Sequence, residues 1–381
     1  MRTRLLALVA AVTLPIVSGC AGDPPAVLTL PAPTGPHPIG TLDLHLVDSS
    51  RPDPYEPGRR RELMVSLWYP ARDGKQPFAP YLAPKAAARF IKANGLTEGS
   101  VRLPVTHART GSPVLGGKLP VVLFSPGNGA NRSDSTVVVE ELASRGYLVV
   151  TVDHTHDAEE VEFPDGRLAT HTMPAETPGE AQVAVRSADV RFVLDRLADL
   201  DGGGNPDVER RALPEGVKGA FDLGRVGMFG HSMGGAATAT TMLEDPRIKA
   251  GLSLDGPVFG EVARKGVAVP YLLMSAKAQR ALVPELAAFR GRLRGWKLNV
   301  KAEGAAHVSF SDAEVLYPQA AKLLGWGAPE LRKQIGTLDP ARGLAIQRAY
   351  PVAFFDRFLK SRPSPLLDGP SKSFPEITFI P

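Results

Sequence analysis

Residues 230–234 read Gly-His-Ser-Met-Gly, a G-x-S-x-G motif between a short apolar run and a segment rich in small residues. The pattern predicts a buried strand at residues 224–230 and a helix at residues 234–243. A serine on such a sharp strand-to-helix turn leaves no room for side chains two residues before or after it, which requires glycine at both positions. The motif therefore predicts an α/β sheet that presents Ser232 as a nucleophile.

Only one histidine is well placed to activate this serine. A serine hydroxyl is a poor nucleophile at neutral pH until a histidine accepts its proton, and in such sheets the chain order is Ser, then Asp or Glu, then His. Of the eight histidines, only His231 and His307 lie beyond Gly230. His231 is adjacent to the serine on the turn, where its ring is not expected to reach back to Oγ. His307 follows a predicted strand at residues 296–302 and is the predicted base.

The acid that orients His307 has two candidate positions. The predicted strand at residues 248–254 ends in Asp255, whereas the next one, at residues 267–274, is followed by no carboxylate until Glu285. Asp255 is therefore the predicted acid, which would hold the histidine tautomer and stabilise the imidazolium formed as the serine attacks. The alternative is that Asp255 begins a turn with the Gly-Pro that follows it, as Asp often does.

A glycine-rich loop follows another apolar run. Residues 118–125 predict a buried strand, and residues 126–132 after it read Pro-Gly-Asn-Gly-Ala-Asn-Arg. In this arrangement the oxyanion receives one backbone N–H from the residue after the nucleophile and another from the loop after an early strand. The predicted donors are Met233 and Asn128. Losing one such donor typically costs on the order of 2.7–4 kcal/mol of transition-state stabilisation. The alternative for this loop is an ordinary turn.

Four segments carry a resemblance to a known family. They are Phe-Ser-Pro-Gly-Asn-Gly-Ala-Asn-Arg at residues 124–132, Gly-His-Ser-Met-Gly-Gly at 230–235, Leu-Asp at 254–255, and His307-x-x-Phe310-x-Asp312. Together they resemble the platelet-activating factor acetylhydrolase family over about residues 42–360. The resemblance implies an α/β-hydrolase fold with a mostly parallel sheet, helices on both faces, and metal-independent hydrolysis of short acyl esters without a cofactor. It also implies an acid after the strand that follows the elbow helix, in agreement with Asp255.

Other functions stay open. The elbow and the Ser-Pro-Gly segment are also similar to bacterial lipases and polyester-cleaving cutinases, although these enzymes keep their acid in the later loop. Where the acetylhydrolases usually have His-Gly in the oxyanion loop, this chain has Pro126-Gly127, which leaves the backbone donor intact. A lipase or polyester hydrolase is one alternative, and a non-catalytic binding lipoprotein on the same fold is another.

The amino terminus predicts the compartment. Residues 1–4 are basic and residues 5–17 are apolar but too short to span a bilayer, as in a signal peptide. Val-Ser-Gly-Cys at residues 17–20 resembles a lipobox, in which Cys20, the single cysteine, becomes lipidated. We expect a signal peptide at residues 1–19, a lipid-anchored Pro-rich tether at 20–38 and one hydrolase domain at 39–381. The protein would then lie in the cell envelope, on the outer face of the cytoplasmic membrane, or be secreted if Cys20 is unmodified.

The resemblance to the acetylhydrolases implies a small-molecule or lipid ester as the partner. With 44 basic and 40 acidic residues the net charge is only +4, which gives no reason to expect nucleic-acid binding. The composition does not indicate an oligomeric state. No zinc-ligand spacing is evident either.

Three further segments have predicted positions but unassigned roles. Alternating patterns predict an antiparallel hairpin at the sheet edge from residues 41–47 and 63–70. Residues 153–157, Asp-His-Thr-His-Asp, follow a predicted strand and suggest either a metal site or a hydrogen-bonded loop near the pocket. Residues 81–114, with a predicted helix at 84–93, could form a lid over the site or an insertion packed on the edge.

Overall fold

A computed structural model describes residues 24–276 and 284–380. The predicted signal peptide and Cys20 lie outside this part of the chain, and so do residues 277–283. The strands, numbered along the chain, are β1 (Ala26–Val27), β2 (Ile39–Pro52), β3 (Arg60–Pro70), β4 (Phe78–Pro80), β5 (Val101–Arg102), β6 (Val105–Thr110), β7 (Leu119–Ser125), β8 (Leu148–Val152), β9 (Glu160–Glu162), β10 (Leu168–Thr170), β11 (Phe221–His231), β12 (Ile248–Leu254), β13 (Tyr271–Ala276), β14 (Lys297–Ala302) and β15 (Ile377–Phe379). The helices are α1 (Pro84–Ala93), α2 (Thr136–Ser144), α3 (Gly179–Asp201), α4 (Met233–Glu244), α5 (Gly260–Lys265), α6 (Pro284–Arg292), α7 (Ala313–Ala320), α8 (Ala328–Ile335) and α9 (Pro340–Leu359).

The main sheet has the strand order β15-β14-β13-β12-β11-β7-β8-β3-β2-β6-β4. From β14 to β8 every neighbouring pair is parallel, while β15 and β3 join this block antiparallel. The carboxyl ends of the six parallel strands therefore lie at one edge of the sheet, and the loops that follow them can converge on a site there.

Apolar side chains cover both faces of the sheet. In β7, Val122 and Phe124 belong to one core and Val121 and Leu123 to the other, because successive side chains of a strand point to opposite faces. Helices α3, α4, α5 and α6 pack in sequence on one face, and α2, α7 and α9 pack together on the other. The predicted layers are confirmed, since continuous apolar strands require burial on both sides.

The amino-terminal hairpin differs from its predicted position. β2 and β3 pair antiparallel, as expected, but they do not form the sheet edge. β6 pairs parallel with β2, and β4 then pairs with β6. An exposed edge strand leaves a row of unpaired backbone groups, and part of the insertion at residues 81–114 supplies the strand that covers β2.

The described part of the stretch expected as a tether, residues 24–38, packs on the domain. Leu28 and Leu30 are buried, and β1 pairs with β5. Arg348 donates a hydrogen bond to the carbonyl of Pro31 at 2.6 Å. The Pro-rich composition gives an extended backbone here, but the two leucines give that backbone an apolar side to bury. Within the described residues, no helix is both long and apolar enough to cross a membrane.

Candidate active site

Ser232 lies at the junction of β11 and α4 with φ of 53° and ψ of −119°. Close packing explains the flanking glycines: a Cβ at Gly230 would lie 2.2 Å from the Gly234 backbone, and one at Gly234 would lie 1.8 Å from the Ser125 carbonyl oxygen. The N–H of Ser232 donates to the carbonyl of Leu254 at 2.9 Å, which ties the turn to β12. Sheet and helix thus hold the serine in a conformation that a non-glycine residue rarely adopts.

The three residues predicted from chain order meet at this turn. His307 Nε2 lies 2.9 Å from Ser232 Oγ, and His307 Nδ1 lies 2.7 Å from Asp255 Oδ2. The other carboxylate oxygen of Asp255 accepts the N–H of Ala276 at 2.9 Å, so both oxygens are engaged. The Asp255 side chain is fully buried, whereas that of His307 is 35% exposed. A proton on Oγ therefore has an acceptor that is itself oriented by a buried carboxylate.

The loop that carries His307 is fixed by its neighbours. A single 3-10 turn spans His307–Phe310 after β14. Asp312, just beyond it, accepts the N–H groups of Thr136 and Val137 at 2.9 and 3.0 Å and so caps α2 from another part of the chain. The cap satisfies amides that the first turn of a helix leaves unpaired. It also fixes the histidine loop against the body of the domain.

His231 supports the same loop from the elbow. Its Nε2–H donates to the backbone carbonyl of His307 at 2.9 Å, and the two rings lie 4.7 Å apart. Among the described residues, no hydrogen bond joins the His231 ring to Ser232 Oγ. The supporting contact was not anticipated from the sequence, because adjacency to Ser232 says nothing about where the side chain ends.

The glycine-rich loop after β7 lies against the elbow. A Cβ at Gly127 would be 3.4 Å from His231 Nδ1 and 3.5 Å from Ser232 Cβ, which are ordinary contact distances, so the loop lies directly beside the elbow. Within the part of the chain that the structure describes, the backbone N–H groups of Asn128 and Met233 make no hydrogen bond. Both predicted oxyanion donors are therefore available to a bound group.

A cavity of about 690 Å³ opens beside Ser232 and His307. Its walls come from separate parts of the chain and include Leu28, Tyr81, Phe90, Leu96, Leu316 and Tyr317. The insertion at residues 81–114 thus supplies a wall of the cavity. It is fastened by the N–H groups of Lys85 and Ala86, which donate to Glu162 on β9.

One carboxyl group in the cavity wall has an altered acidity. Burial raises the pKa of Glu160 to about 7, with a further contribution from the carboxylates of Asp153 and Glu159. One of its oxygens accepts from the side-chain amide of Asn131 at 2.7 Å, and the other has no hydrogen-bond partner among the described residues. The cavity therefore contains a carboxyl that is partly protonated at neutral pH.

The Asp-His-Thr-His-Asp segment forms a hydrogen-bonded loop behind the site. His154 Nε2 lies 2.9 Å from Ser125 Oγ, and its Nδ1 lies 3.0 Å from Asp189 Oδ2. All three side chains are at most 1% exposed. Across residues 24–276 and 284–380, no group of three or more His, Cys, Asp or Glu side chains is placed to hold a metal ion. The geometry matches the hydrogen-bonded alternative for this segment.

Arg186 is the site neighbour that the sequence did not reveal. It lies within α3 and contacts the loop after β7, about 60 residues earlier in the chain. It is one of several arginines on α3, and no local sequence pattern distinguishes it from the others.

Comparison with known proteins gives consistent matches. The profile of the family described as platelet-activating factor acetylhydrolase, isoform II, matches residues 26–362. The chain is 27% identical to a probable 1-alkyl-2-acetylglycerophosphocholine esterase of Arthroderma benhamiae, over 96% of this chain and 97% of that protein. It is 28% identical to the platelet-activating factor acetylhydrolase of Cavia porcellus, over 65% of this chain and 61% of that protein. A solved ferulic acid esterase from Streptomyces cinnamoneus superimposes with a TM-score of 0.80 at 37% identity, over 93% of this chain and 99% of that one.

These matches confirm the predicted α/β-hydrolase fold and the predicted enzyme class, and they set aside the non-catalytic binding module. The family profile begins at residue 26, within the segment that the structure packs on the domain. The chain is therefore a carboxylic ester hydrolase that belongs to the platelet-activating factor acetylhydrolase isoform II family.

Proposed function

We propose that the chain hydrolyses its ester by acyl transfer to Ser232. His307 takes the proton from Oγ as the oxygen attacks the ester carbonyl, and returns it to the departing alcohol. Water, deprotonated by His307, then attacks the acyl-serine and releases the carboxylic acid and the free serine. Asp255 orients the imidazole and stabilises its charged form without taking the proton. The observation that carries this proposal is the continuous hydrogen-bond chain from Ser232 to Asp255 beside an open cavity.

In the proposed mechanism the Asn128 and Met233 amides bind the oxyanion. The negative charge develops on the carbonyl oxygen only as the tetrahedral intermediate forms, so fixed donors stabilise that state more than the substrate. Their support is the contact of the Gly127 backbone with the elbow and the absence of another acceptor for either amide within residues 24–276 and 284–380.

The proposed substrate is a small-molecule or lipid ester with a short acyl chain. The support is the activity of two relatives, one a probable 1-alkyl-2-acetylglycerophosphocholine esterase and the other a platelet-activating factor acetylhydrolase. We further propose that Cys20 carries a lipid that holds the enzyme at the outer face of the cytoplasmic membrane. Cys20 itself lies outside the described residues.

An aromatic acyl group is a second candidate. The cavity of about 690 Å³ is far larger than an acetyl group requires, and Tyr81, Phe90 and Tyr317 give its walls aromatic surface. The similar structure from Streptomyces cinnamoneus is a ferulic acid esterase. A hydroxycinnamoyl ester would use this space, with its carbonyl at Ser232.

The test compares p-nitrophenyl esters from acetyl to palmitoyl with methyl ferulate, using the chain from residue 21 and its Ser232→Ala variant. Ser50→Ala, at an exposed serine away from the cavity, is the matched control. Activity confined to short chains supports the first candidate, preference for ferulate supports the second, and preference for long chains favours a lipase. Undiminished hydrolysis by Ser232→Ala would overturn the proposed nucleophile.

A further inference from the structure

Arg186 makes its contacts beneath the loop that follows β7. Its Nε and Nη2 donate to the two oxygens of Asp157, each at 2.7 Å. Its Nη1 donates to the carbonyl of Pro126 at 2.5 Å and to Ser125 Oγ at 3.3 Å, and Nη2 also donates to the carbonyl of Gly127 at 2.9 Å. A guanidinium has five N–H donors, and all five are used here.

This cluster is sealed inside the protein. Arg186 is 1% exposed and Asp157 is 2% exposed. Asp157 lies in the loop after β8 and also accepts the N–H of Gly129 at 3.3 Å. The ion pair therefore contacts the glycine-rich loop at Pro126 and Gly127 through Arg186, and at Gly129 through Asp157. A buried ion pair is costly to desolvate and is tolerated when its hydrogen bonds are complete, as they are here.

The geometry of the peptide bond determines where the N–H of Asn128 points. Every peptide bond in the described residues is trans, and the C=O and N–H of a trans peptide point in opposite directions. The Gly127 carbonyl points at Arg186, so the N–H of Asn128 in the same peptide points away from it. Gly127 itself lies against Ser232 on the cavity side.

From this arrangement, and on the basis of the proposed serine mechanism, we infer that Arg186, anchored by Asp157, is a positioning residue that holds the Asn128 amide toward the oxyanion. Lysine cannot replace it, because a single ammonium group offers three donors from one point. It cannot bind two successive carbonyls and a carboxylate in the planar arrangement that the guanidinium provides.

The test uses Arg186→Lys and the milder Asp157→Asn in the chain from residue 21. Active sites are titrated to completion with a fluorophosphonate, so that kcat refers only to folded enzyme. We expect Arg186→Lys to lower kcat on p-nitrophenyl acetate about 100-fold, the scale of one lost oxyanion donor, with KM changed less than about threefold. Asp157→Asn should lower kcat about tenfold. Affinity for a trifluoromethyl ketone, whose adduct carries the oxyanion, should fall in parallel with kcat.

Arg61→Lys is the matched control for loss of a buried arginine. Arg61 is fully buried, pairs with Asp53 and Asp189 and donates to the carbonyl of Thr155, but it makes no hydrogen bond to residues 125–129. The Arg61→Lys variant should have a lower Tm, but its kcat per titrated site should stay within about threefold of that of the parent enzyme.

A kcat per site within threefold of the parent in Arg186→Lys would overturn the inference, and so would kcat loss without loss of inhibitor affinity. If Arg186→Lys does not fold, Asp157→Asn decides by the same criteria. An inactive parent enzyme would instead refute the proposed function itself, so the two failures are distinguishable.

Discussion

Two residues of the site adopt backbone conformations that side chains usually avoid. Ser232 has φ of 53° and Asp255 has φ of 52°. Asp255 is held there by its N–H, which donates to Met274 at 2.7 Å, as Ser232 is held by its bond to Leu254. Such strain persists only where surrounding hydrogen bonds enforce it, and here it directs the two side chains toward the same histidine.

Asp255→Asn tests the acid with little disturbance of the backbone. Asn tolerates positive φ as well as Asp does, so the variant should fold with a nearly unchanged Tm. Loss of the negative charge and of the correct histidine tautomer should lower kcat by about 10³–10⁴-fold. Asp339→Asn, at the exposed amino-terminal cap of α9, is the control and should keep full activity. Full esterase activity in Asp255→Asn would move the acid elsewhere.

The raised pKa of Glu160 predicts that the stability of the protein depends on pH. The pKa of this side chain is raised from 4.5 to about 7 in the folded protein, so between these values the native state binds more protons than the unfolded state. Stability due to this group is therefore full below about pH 4.5 and falls as pH rises to about 7. Glu160→Gln should raise the free energy of unfolding by about 2–3 kcal/mol at pH 8 and by almost nothing at pH 4.

Urea unfolding of Glu160→Gln and the parent at both pH values measures this difference. Glu98→Gln, at an exposed glutamate, is the control and should show no pH-dependent change. An equal effect of Glu160→Gln at pH 4 and pH 8 would contradict the assignment, because a purely steric effect does not depend on proton binding.

At the scale of elements, the sequence predicted the site residues best where they directly follow a segment with a recognisable strand pattern. Ser232, Asp255 and His307 each follow a strand of the parallel block, so strand order alone brings them to one edge of the sheet. α1 was predicted with its observed bounds from its amphipathic pattern. Arg186 could not be found in this way, since its partners lie on two loops whose paths depend on tertiary packing.

α1 and its flanking residues determine the width of the cavity. Phe90→Ala should open one wall and raise the preference for octanoyl over acetyl esters, as kcat/KM, by about three- to tenfold. Hydrolysis of a series of p-nitrophenyl esters measures the shift. Phe78→Ala is the control, because Phe78 is 47% exposed and lies outside the cavity. An unchanged chain-length profile in Phe90→Ala would show that the acyl chain occupies another part of the cavity.

At the scale of the whole molecule, residues 24–38 pack on the catalytic domain. The proline content of this segment suggested an extended linker, and the one regular element that the structure has in residues 24–38 is the short strand β1. Composition could not show that Leu28 and Leu30 have a groove to fill, because that groove is formed by α7, α9 and the insertion, which lie far along the chain.

Removing residues 21–38 should therefore destabilise the enzyme relative to the chain that begins at residue 21. Exposure of the surface covered by Leu28 and Leu30 should lower the free energy of unfolding by about 3–6 kcal/mol, and loss of the Leu28 wall should raise KM. Chemical denaturation and ester kinetics measure both effects. Leu30→Ala in the longer chain should reproduce part of the stability loss only. Equal stability of the two chains would restore the view of this segment as a tether.

The hydrogen-bonded set of Ser125, His154 and Asp189 bears on how active sites are recognised. Residues 24–276 and 284–380 contain two arrangements of serine, histidine and aspartate with nearly equal spacing, one beside the cavity and one enclosed in the interior. A search by three-residue geometry would return both. The enclosed set has no access to an ester, and its serine also accepts a hydrogen bond from Arg186, so a covalent serine reagent should saturate at one label per chain.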